Sequence, residues 1–314
     1  MFCYGASVTA QQNDSGYVYH LKGILEKHGG FSVSSFARGA SHFDYAGFGY
    51  LQTILDNRPD ILIVDWLTPS MRVFDENKVS LFHEVLSSHI HNIIWVNFPR
   101  KDDLKNEREC YSQIKKSCSD YNLHFWDILD EADSFENSVD LYLRDVVHTT
   151  KEGGKLYGSI LANKIISIEQ STDGTEANHR FGEDKTAIRI PKIYSIDQTI
   201  DNKNRIEVDI DLYSNEVELM IEGIIGPNTP YLSVELLSDD GEERQKIVNP
   251  VDPWCYYTRA MLLPPIQFSV SDKKAVLRVS MAPGEPLSKI QLRAKISEKI
   301  DPEKSFKWNS LIVY

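Results

Sequence analysis

The feature that most constrains the fold of this 314-residue chain is the regular alternation, over residues 1–168, of short apolar runs with segments of helical period. The run Ile61–Val64 is apolar throughout, which is typical of a strand covered on both faces of its sheet. Strands that alternate with helices favour a doubly wound parallel sheet with right-handed crossovers. The predicted strands are Phe2–Gly5, Phe31–Ala37, Asp60–Trp66, Asn92–Phe98 and Leu123–Ile128, and the predicted helices lie near Gly16–His28, Phe48–Asn57, Asn77–Ile90, Leu104–Tyr121 and Lys151–Ile168.

The pattern changes after a polar stretch. Residues 170–184 contain two glycines and show no periodicity, as expected of a linker. Farther along, Arg205–Leu212 alternates strictly between polar and apolar residues, which predicts antiparallel strands with one face toward water. We therefore predict an α/β/α domain over 1–169, a linker over 170–190 and a smaller antiparallel β-sandwich domain over 191–314.

Candidate functional residues fall where the predicted strands end. In an open parallel sheet, functional groups gather at the carboxyl ends of the strands. Ser7 follows the first strand, Gly39 follows the second, and His148 stands just before the last helix of this half, three residues after Asp145. A serine hydroxyl becomes a good nucleophile when a neighbouring base removes its proton and a third group orients that base. These positions predict a catalytic triad of Ser7, His148 and Asp145.

The same residues suggest how a reaction intermediate would be stabilised. Backbone N–H groups at Ser7 and Gly39 are the expected donors to an oxyanion, since glycine lets the backbone approach closely. Taken alone, each signal has an ordinary structural explanation, because serines often cap helices, Asp-x-x-His pairs often lie on surfaces and glycines often mark turns. Their placement at one edge of the predicted sheet favours the catalytic interpretation.

Four short segments, in this order and spacing, resemble the conserved blocks of the SGNH, or GDSL-like, hydrolase family. They are Gly5-Ala6-Ser7, Arg38-Gly39-Ala40-Ser41, Pro59–Val64 and Asp145–Thr150, the last followed by two glycines and a helix. The final segment is the most specific, whereas the first has Ala6 where the family usually has Asp. The resemblance implies a flavodoxin-like three-layer fold and acyl-ester chemistry, with Ser7 as nucleophile, His148 as base and Asp145 as its orienting group.

One segment departs from the family pattern. The third block of the family normally ends in Gly-x-Asn-Asp, whose Asn donates a third hydrogen bond to the oxyanion, and this chain has Leu67-Thr68-Pro69-Ser70 there. Removing one such donor by mutation costs on the order of 10²–10³ in rate. We predict that Thr68 serves as the third donor in the oxyanion hole, with Ser70 as the alternative. The remaining alternatives are that two backbone donors suffice or that the activity is degraded.

Composition narrows the range of partners. A net charge of −12 argues against a nucleic-acid partner, because phosphate binding depends on clustered Lys and Arg. No apolar run reaches the ~20 residues that span a bilayer, and no signal peptide opens the sequence, so we expect a cytoplasmic protein without a membrane span. The histidines outside the predicted triad lack the spacing of metal ligands, and the expected chemistry needs neither a metal nor a cofactor.

The predicted function is a serine esterase that removes O-acyl groups, O-acetyl above all, from a small acylated molecule or a saccharide. Two alternatives stay open: a saccharide O-acetyltransferase that uses the same serine, and a non-catalytic carbohydrate-binding protein on the same scaffold. The missing Asn favours the binding protein, whereas a complete triad opposes it. The saccharide rests on analogy with the family. The aromatic stretch 253–257 offers a carbohydrate contact, although packing in the sandwich core or a contact between the domains explains it better.

Overall fold

The computed structural model describes residues 1–70, 72–102, 104, 108–132, 135, 138–171, 190–226, 229–238, 243–251, 258–270, 273–282 and 305–314. The chain divides into two compact units, Met1–Ile188 and Arg189–Tyr314. Within these described ranges no helix is both long and apolar enough to cross a membrane. Most of the predicted linker over 170–190, and the whole aromatic stretch 253–257, lie outside the described residues.

A five-stranded parallel sheet forms the centre of the first unit. Its strands are β1 (Phe2–Gly5), β2 (Ser34–Ala37), β3 (Ile61–Asp65), β4 (Asn92–Asn97) and β5 (His124–Asp127). The spatial order β2-β1-β3-β4-β5 is that of flavodoxin-like sheets, which bind ligands at the β1/β3 switch point. The predicted α/β fold is therefore confirmed, and the carboxyl ends of β1 and β3 lie side by side.

Helices connect these strands. They are α1 (Tyr17–His28), α2 (Leu51–Asn57), α3 (Glu76–Ser87), α4 (Glu109–Asp120), α5 (Val139–Tyr142) and α6 (Lys151–Ser171). In α1 the buried residues Leu21 and Leu25 are four apart, so they form one apolar stripe. That stripe shares a core cluster with Leu161 and Ile165 of α6 and with the sheet.

The start of α6 packs closely against the segment before α1. A Cβ on Gly154 would stand 2.5 Å from Ser15 O, so only glycine allows this approach. The residues before α6 include His148, and the residues before Ser15 include Ser7. Helix packing thus brings the two predicted catalytic segments to the same edge of the sheet.

Several boundaries differ from those predicted: α2 begins at Leu51 instead of Phe48, α3 ends at Ser87 instead of Ile90, and α4 begins at Glu109 instead of Leu104. β2 begins at Ser34 instead of Phe31, because its pairing with β1 starts at Phe2 and residues 31–33 precede that first pair. α6 continues through Ser171, two residues into the predicted linker. The short helix α5 was not predicted, since four residues are too few to show a helical period.

Two antiparallel sheets form the second unit. One sheet contains β7 (Arg205–Asp211), β9 (Leu232–Ser238), β10 (Glu243–Val248) and β13 (Lys274–Met281), in the spatial order β10-β9-β13-β7. The other contains β6 (Lys192–Asp201), β8 (Glu216–Ile225), β11 (Arg259–Leu262), β12 (Ile266–Ser269) and β14 (Ser305–Val313). Its spatial order is β11-β8-β14-β6, and β12 also pairs with β8. One apolar cluster takes side chains from both sheets, including Leu236 and Leu311. The predicted antiparallel sandwich is confirmed.

Candidate active site

Ser7 lies in a tight turn directly after β1, at the carboxyl end of the sheet. Its turn is anchored to the neighbouring strand by a hydrogen bond from Ala6 N–H to Asp65 O (3.0 Å). Gly5 begins the turn because no larger residue fits: a Cβ there would stand 2.4 Å from the Thr9 hydroxyl oxygen and 2.7 Å from Asp65 O. Ser7 itself remains partly exposed, as a nucleophile must be.

Gly39 reaches the same edge from β2. Arg38 N–H donates to Gly5 O (3.0 Å), so the chain leaves β2 beside the Ser7 turn. A Cβ built on Gly39 would lie 3.9 Å from Ser7 Cβ, which makes the two predicted backbone donors neighbours. In the described part of the chain, neither of these two N–H groups donates to another backbone group. Both are therefore available to an incoming oxygen.

His148 and Asp145 form a direct pair. His148 Nδ1 lies 2.9 and 3.0 Å from the two carboxylate oxygens of Asp145, which also accepts from the N–H groups of Val147 (3.0 Å) and His148 (2.8 Å). Partial burial alone would raise the pKa of Asp145, but these backbone hydrogen bonds and the nearby imidazole hold that pKa below its usual value. The carboxylate therefore stays ionised at neutral pH and leaves Nε2 of His148 for chemistry.

The structure does not join Ser7 to His148 directly. Among the described residues, the Ser7 hydroxyl makes no hydrogen bond to the His148 ring. Catalytic hydrogen bonds are commonly long in ligand-free sites and tighten when substrate binds. The two segments are joined instead by Gln11: Thr149 N–H donates to Gln11 Oε1 (2.9 Å) and Gln11 Nε2 donates to Thr149 O (3.1 Å). Gln11 could not be identified from the sequence, because a side-chain amide can pair with whichever backbone segment the fold brings near it.

The segment after β3 carries the residues predicted as third oxyanion donor. The buried hydroxyl of Thr68 donates to Asp65 Oδ1 at 2.5 Å, and the buried hydroxyl of Ser70 donates to Trp66 O at 3.1 Å. Each hydroxyl has a single proton, so neither can donate to an oxyanion while these bonds persist. The third-donor role of Thr68 or Ser70 stays a prediction, and this geometry argues against it.

Two arginines donate hydrogen bonds to the backbone carbonyls of the same segment. Arg108 Nη1 donates to Leu67 O (2.6 Å) and to Ser70 O (2.9 Å), and Arg100 Nη1 donates to Thr68 O (2.8 Å). The Arg108 residue is 8% exposed and the Arg100 side chain 10%, so these charge-assisted bonds are shielded from water. The backbone after β3 is thus fixed without the Gly-x-Asn-Asp sequence.

Asp65, the last residue of β3, is a fully buried carboxyl that sequence reasoning did not single out. One of its oxygens accepts from the Thr9 N–H (3.2 Å) and the Thr9 hydroxyl (2.8 Å), and the other accepts from Thr68. Burial raises the pKa of Asp65 to about 7, although the hydrogen bonds from Thr68 and Thr9 act in the opposite direction. Asp65 thereby ties the segment that follows Ser7 to the segment after β3.

Comparison with known proteins supplies a match in fold. Neither the protein-family models nor the curated proteins match this sequence. The solved structure of a two-domain esterase active on acetylated mannans matches with a TM-score of 0.65 and 11% identity, over 99% of this chain and 90% of that chain. The structure of such an esterase co-crystallized with mannopentaose matches with a TM-score of 0.63 and 11% identity, over 99% and 89%. This chain therefore has the fold of that two-domain esterase, an α/β unit followed by an antiparallel β unit.

Proposed function

We propose that this protein is a serine esterase that removes O-acetyl groups from a saccharide through an acyl-Ser7 intermediate. The observation that supports the proposal is that Gly39 lies beside Ser7 at the end of the parallel sheet, while the hydrogen-bonded pair of His148 and Asp145 directly precedes Thr149, which Gln11 joins to the Ser7 segment. Acetylated mannan is the substrate of a protein that shares this fold, which supports a saccharide substrate here.

The reaction would proceed in two steps. The Ser7 hydroxyl oxygen attacks the acetyl carbonyl carbon while His148 takes the hydroxyl proton, and the N–H groups of Ser7 and Gly39 donate to the oxyanion. The ester C–O bond then breaks, and the leaving saccharide oxygen receives the proton from His148. Water, deprotonated by the same ring, then attacks the acetyl-Ser7 carbonyl; the bond from this carbon to the Ser7 oxygen breaks, acetate leaves, and the Ser7 oxygen takes the proton back from His148. Asp145 remains ionised throughout and stabilises the imidazolium.

The proposal is tested by following the acetyl group. Purified protein is incubated with acetylated manno-oligosaccharide and increasing concentrations of a free sugar acceptor, and both acetate and acetylated acceptor are quantified. We expect free acetate to account for the acetyl groups lost at every acceptor concentration. Acetylated acceptor that rises with acceptor concentration would identify a transferase. Binding of the oligosaccharide without turnover would identify a carbohydrate-binding protein.

A groove of about 370 Å³ beside the Ser7 turn is the proposed saccharide subsite. It is lined by residues 9–12, by Ser35–Arg38 of the sheet edge and by Tyr19 of α1. The Tyr19 side chain is 59% exposed. An exposed aromatic ring provides an apolar face for a sugar ring, and the surrounding polar groups can bond its hydroxyls.

Replacing Tyr19 by Ala should therefore raise KM for an acetylated oligosaccharide by roughly tenfold, which corresponds to the loss of one aromatic stacking contact. KM for a small aryl acetate should be unchanged, because that substrate does not reach the groove. Tyr19→Phe should behave as wild type. The control is Tyr213→Ala, which removes a ring of similar exposure (48%) from the second unit. An equal effect of Tyr19→Ala on both substrates would rule out the subsite.

Thr68→Val tests the third oxyanion donor. Because the Thr68 hydroxyl donates to Asp65, we expect this variant to lower kcat by less than about tenfold, far below the 10²–10³ lost with a true oxyanion donor. Thr68→Ser keeps the hydroxyl and is the matched control. Steady-state kinetics with an aryl acetate decide the matter: a kcat loss above a hundredfold in Thr68→Val alone would restore Thr68 to the oxyanion hole.

A further inference from the structure

The two segments that carry the proposed catalytic groups are linked by one side-chain amide. Gln11 follows Ser7 by four residues, and Thr149 directly follows His148. The Gln11 amide pairs with Thr149 in both directions, as one backbone strand pairs with another, at 2.9 and 3.1 Å. The Thr149 hydroxyl lies a further 3.1 Å from Gln11 Oε1, and Gln11 Nε2 lies 3.3 Å from Ser15 O. The pairing is partly buried and therefore shielded from competing water.

Other hydrogen bonds around His148 are local or lead elsewhere. Arg144 N–H donates to His148 O (2.9 Å), and Asp145 holds the imidazole, so the shape of the segment is fixed from within. Lys101 N–H donates to Val146 O (2.9 Å) and ties the segment to the loop after β4. None of these bonds sets the separation between the imidazole and Ser7.

That separation depends on the residues that connect the two segments. Besides Gln11, the described contacts between them are the Thr149 hydroxyl, which donates to Ser15 O at 2.6 Å, the ion pair of Lys151 with Asp14 at 3.0 Å, and the packing of Gly154 against Ser15. Ser15 is eight residues from Ser7, whereas Gln11 is one turn away, and its N–H bonds back to Val8 O (3.3 Å). A displacement at Gln11 is therefore transmitted to Ser7 over a much shorter stretch of chain.

We propose that Gln11 is a positioning residue that sets the distance between the Ser7 hydroxyl and the His148 imidazole by pairing with the backbone of Thr149. The inference rests on the proposed esterase function, and it deepens that function by adding a residue that acts through Thr149 and not on the reacting atoms. A proton transfer between serine and histidine is sensitive to distance, and a misplacement of about 1 Å can cost roughly 10²-fold in rate.

The chain offers a matched control. Gln113 on α4 makes the same two-way pairing, accepting from Phe74 N–H and donating to Phe74 O, both at 2.8 Å. Gln113 is also partly buried, but it lies away from the proposed catalytic groups. Gln113→Ala therefore removes an equivalent pair of hydrogen bonds. Its effect shows how much the loss of such a pair changes stability when the proposed catalytic groups are not involved.

Kinetics with a small aryl acetate test the role. We expect Gln11→Ala to lower kcat by about a hundredfold with KM changed less than threefold, while Gln113→Ala keeps the wild-type kcat. Gln11→Glu preserves the shape of the side chain but places an acceptor against Thr149 O and Ser15 O. It should therefore lose kcat as Gln11→Ala does. A wild-type kcat in Gln11→Ala, or in Gln11→Glu, would overturn the proposal.

Hydrogen–deuterium exchange separates this inference from the esterase proposal. Backbone amides of residues 144–150 should exchange at least tenfold faster in Gln11→Ala than in wild type. Their exchange rates in Gln113→Ala should equal those of the wild type. If the wild type hydrolyses no ester but this exchange difference is found, the esterase proposal fails and the link between the segments stands. Unchanged exchange in Gln11→Ala overturns the link whether or not the protein is an esterase.

Discussion

Ser7→Ala and His148→Ala are each expected to lower the hydrolysis of acetyl esters by roughly 10⁴–10⁶-fold, the range found when a serine nucleophile or its base is removed. The first variant has no oxygen to form the acyl intermediate. The second has no group to take the proton, since it lacks the imidazole that the structure pairs with Asp145. Initial rates with an aryl acetate measure both losses.

Combining the two substitutions should cost little more than either alone, because nucleophile and base act as a unit. Asp145→Ala should cost less than either, since Asp145 orients the ring without reacting. Ser34→Ala and His28→Ala are the controls, because they remove an exposed hydroxyl and an exposed imidazole from the same unit. A serine-directed fluorophosphonate should label the wild type and not Ser7→Ala. A fully active Ser7→Ala protein would end the acyl-serine mechanism.

The sheet of the first unit was predictable because its signals are local. The strands β1, β3 and β4 are runs of four to six mostly apolar residues, and the helices between the strands show their own period. The ends of elements were harder to predict where they depend on a partner. β2 starts at Ser34 because its pairing with β1 begins at Phe2, and Phe2 lies more than thirty residues away from Ser34 in the sequence.

In the candidate site, too, the residues with local signals were predictable and those that depend on a distant partner were not. Ser7, Gly39 and the Asp145–His148 pair were predictable because each follows a strand or precedes a helix at the functional edge of a parallel sheet. The role of Gln11 depends on Thr149, 138 positions away, and no spacing rule connects them. Thr68 illustrates the opposite problem, since its position suggested an oxyanion donor and its actual partner is Asp65.

Asp65→Asn is expected to change how the stability of the first unit depends on pH. In the unfolded chain this carboxyl loses its proton near pH 3.8, whereas burial raises its pKa to about 7 in the folded protein. Between these values the folded state holds one more proton than the unfolded state, so the free energy of unfolding falls as pH rises, by about 1.4 kcal/mol per pH unit. The stabilisation that this bound proton gives the folded protein is lost as the pH rises through about 7, and it stays lost at higher pH.

The amide variant should escape this loss. Its oxygen can accept from the N–H and hydroxyl of Thr9, and its NH₂ can donate to the Thr68 hydroxyl oxygen, so the buried hydrogen bonds are kept without a charge. The difference in unfolding free energy, Asp65→Asn minus wild type, should therefore rise by about 2 kcal/mol between pH 5 and pH 7 and level off by about pH 8.

Urea unfolding at half-unit steps from pH 5 to pH 8 measures this difference, with the helical circular dichroism signal as the probe because the described helices all lie in the first unit. Groups that titrate alike in both proteins cancel, so the slope isolates Asp65. Asp60→Asn, which removes an exposed carboxyl directly before β3, is the control. A flat difference for Asp65→Asn would mean that this carboxyl is already ionised in the folded protein at pH 5. The hydrogen bonds from Thr9 and Thr68 would then outweigh the cost of burying its charge.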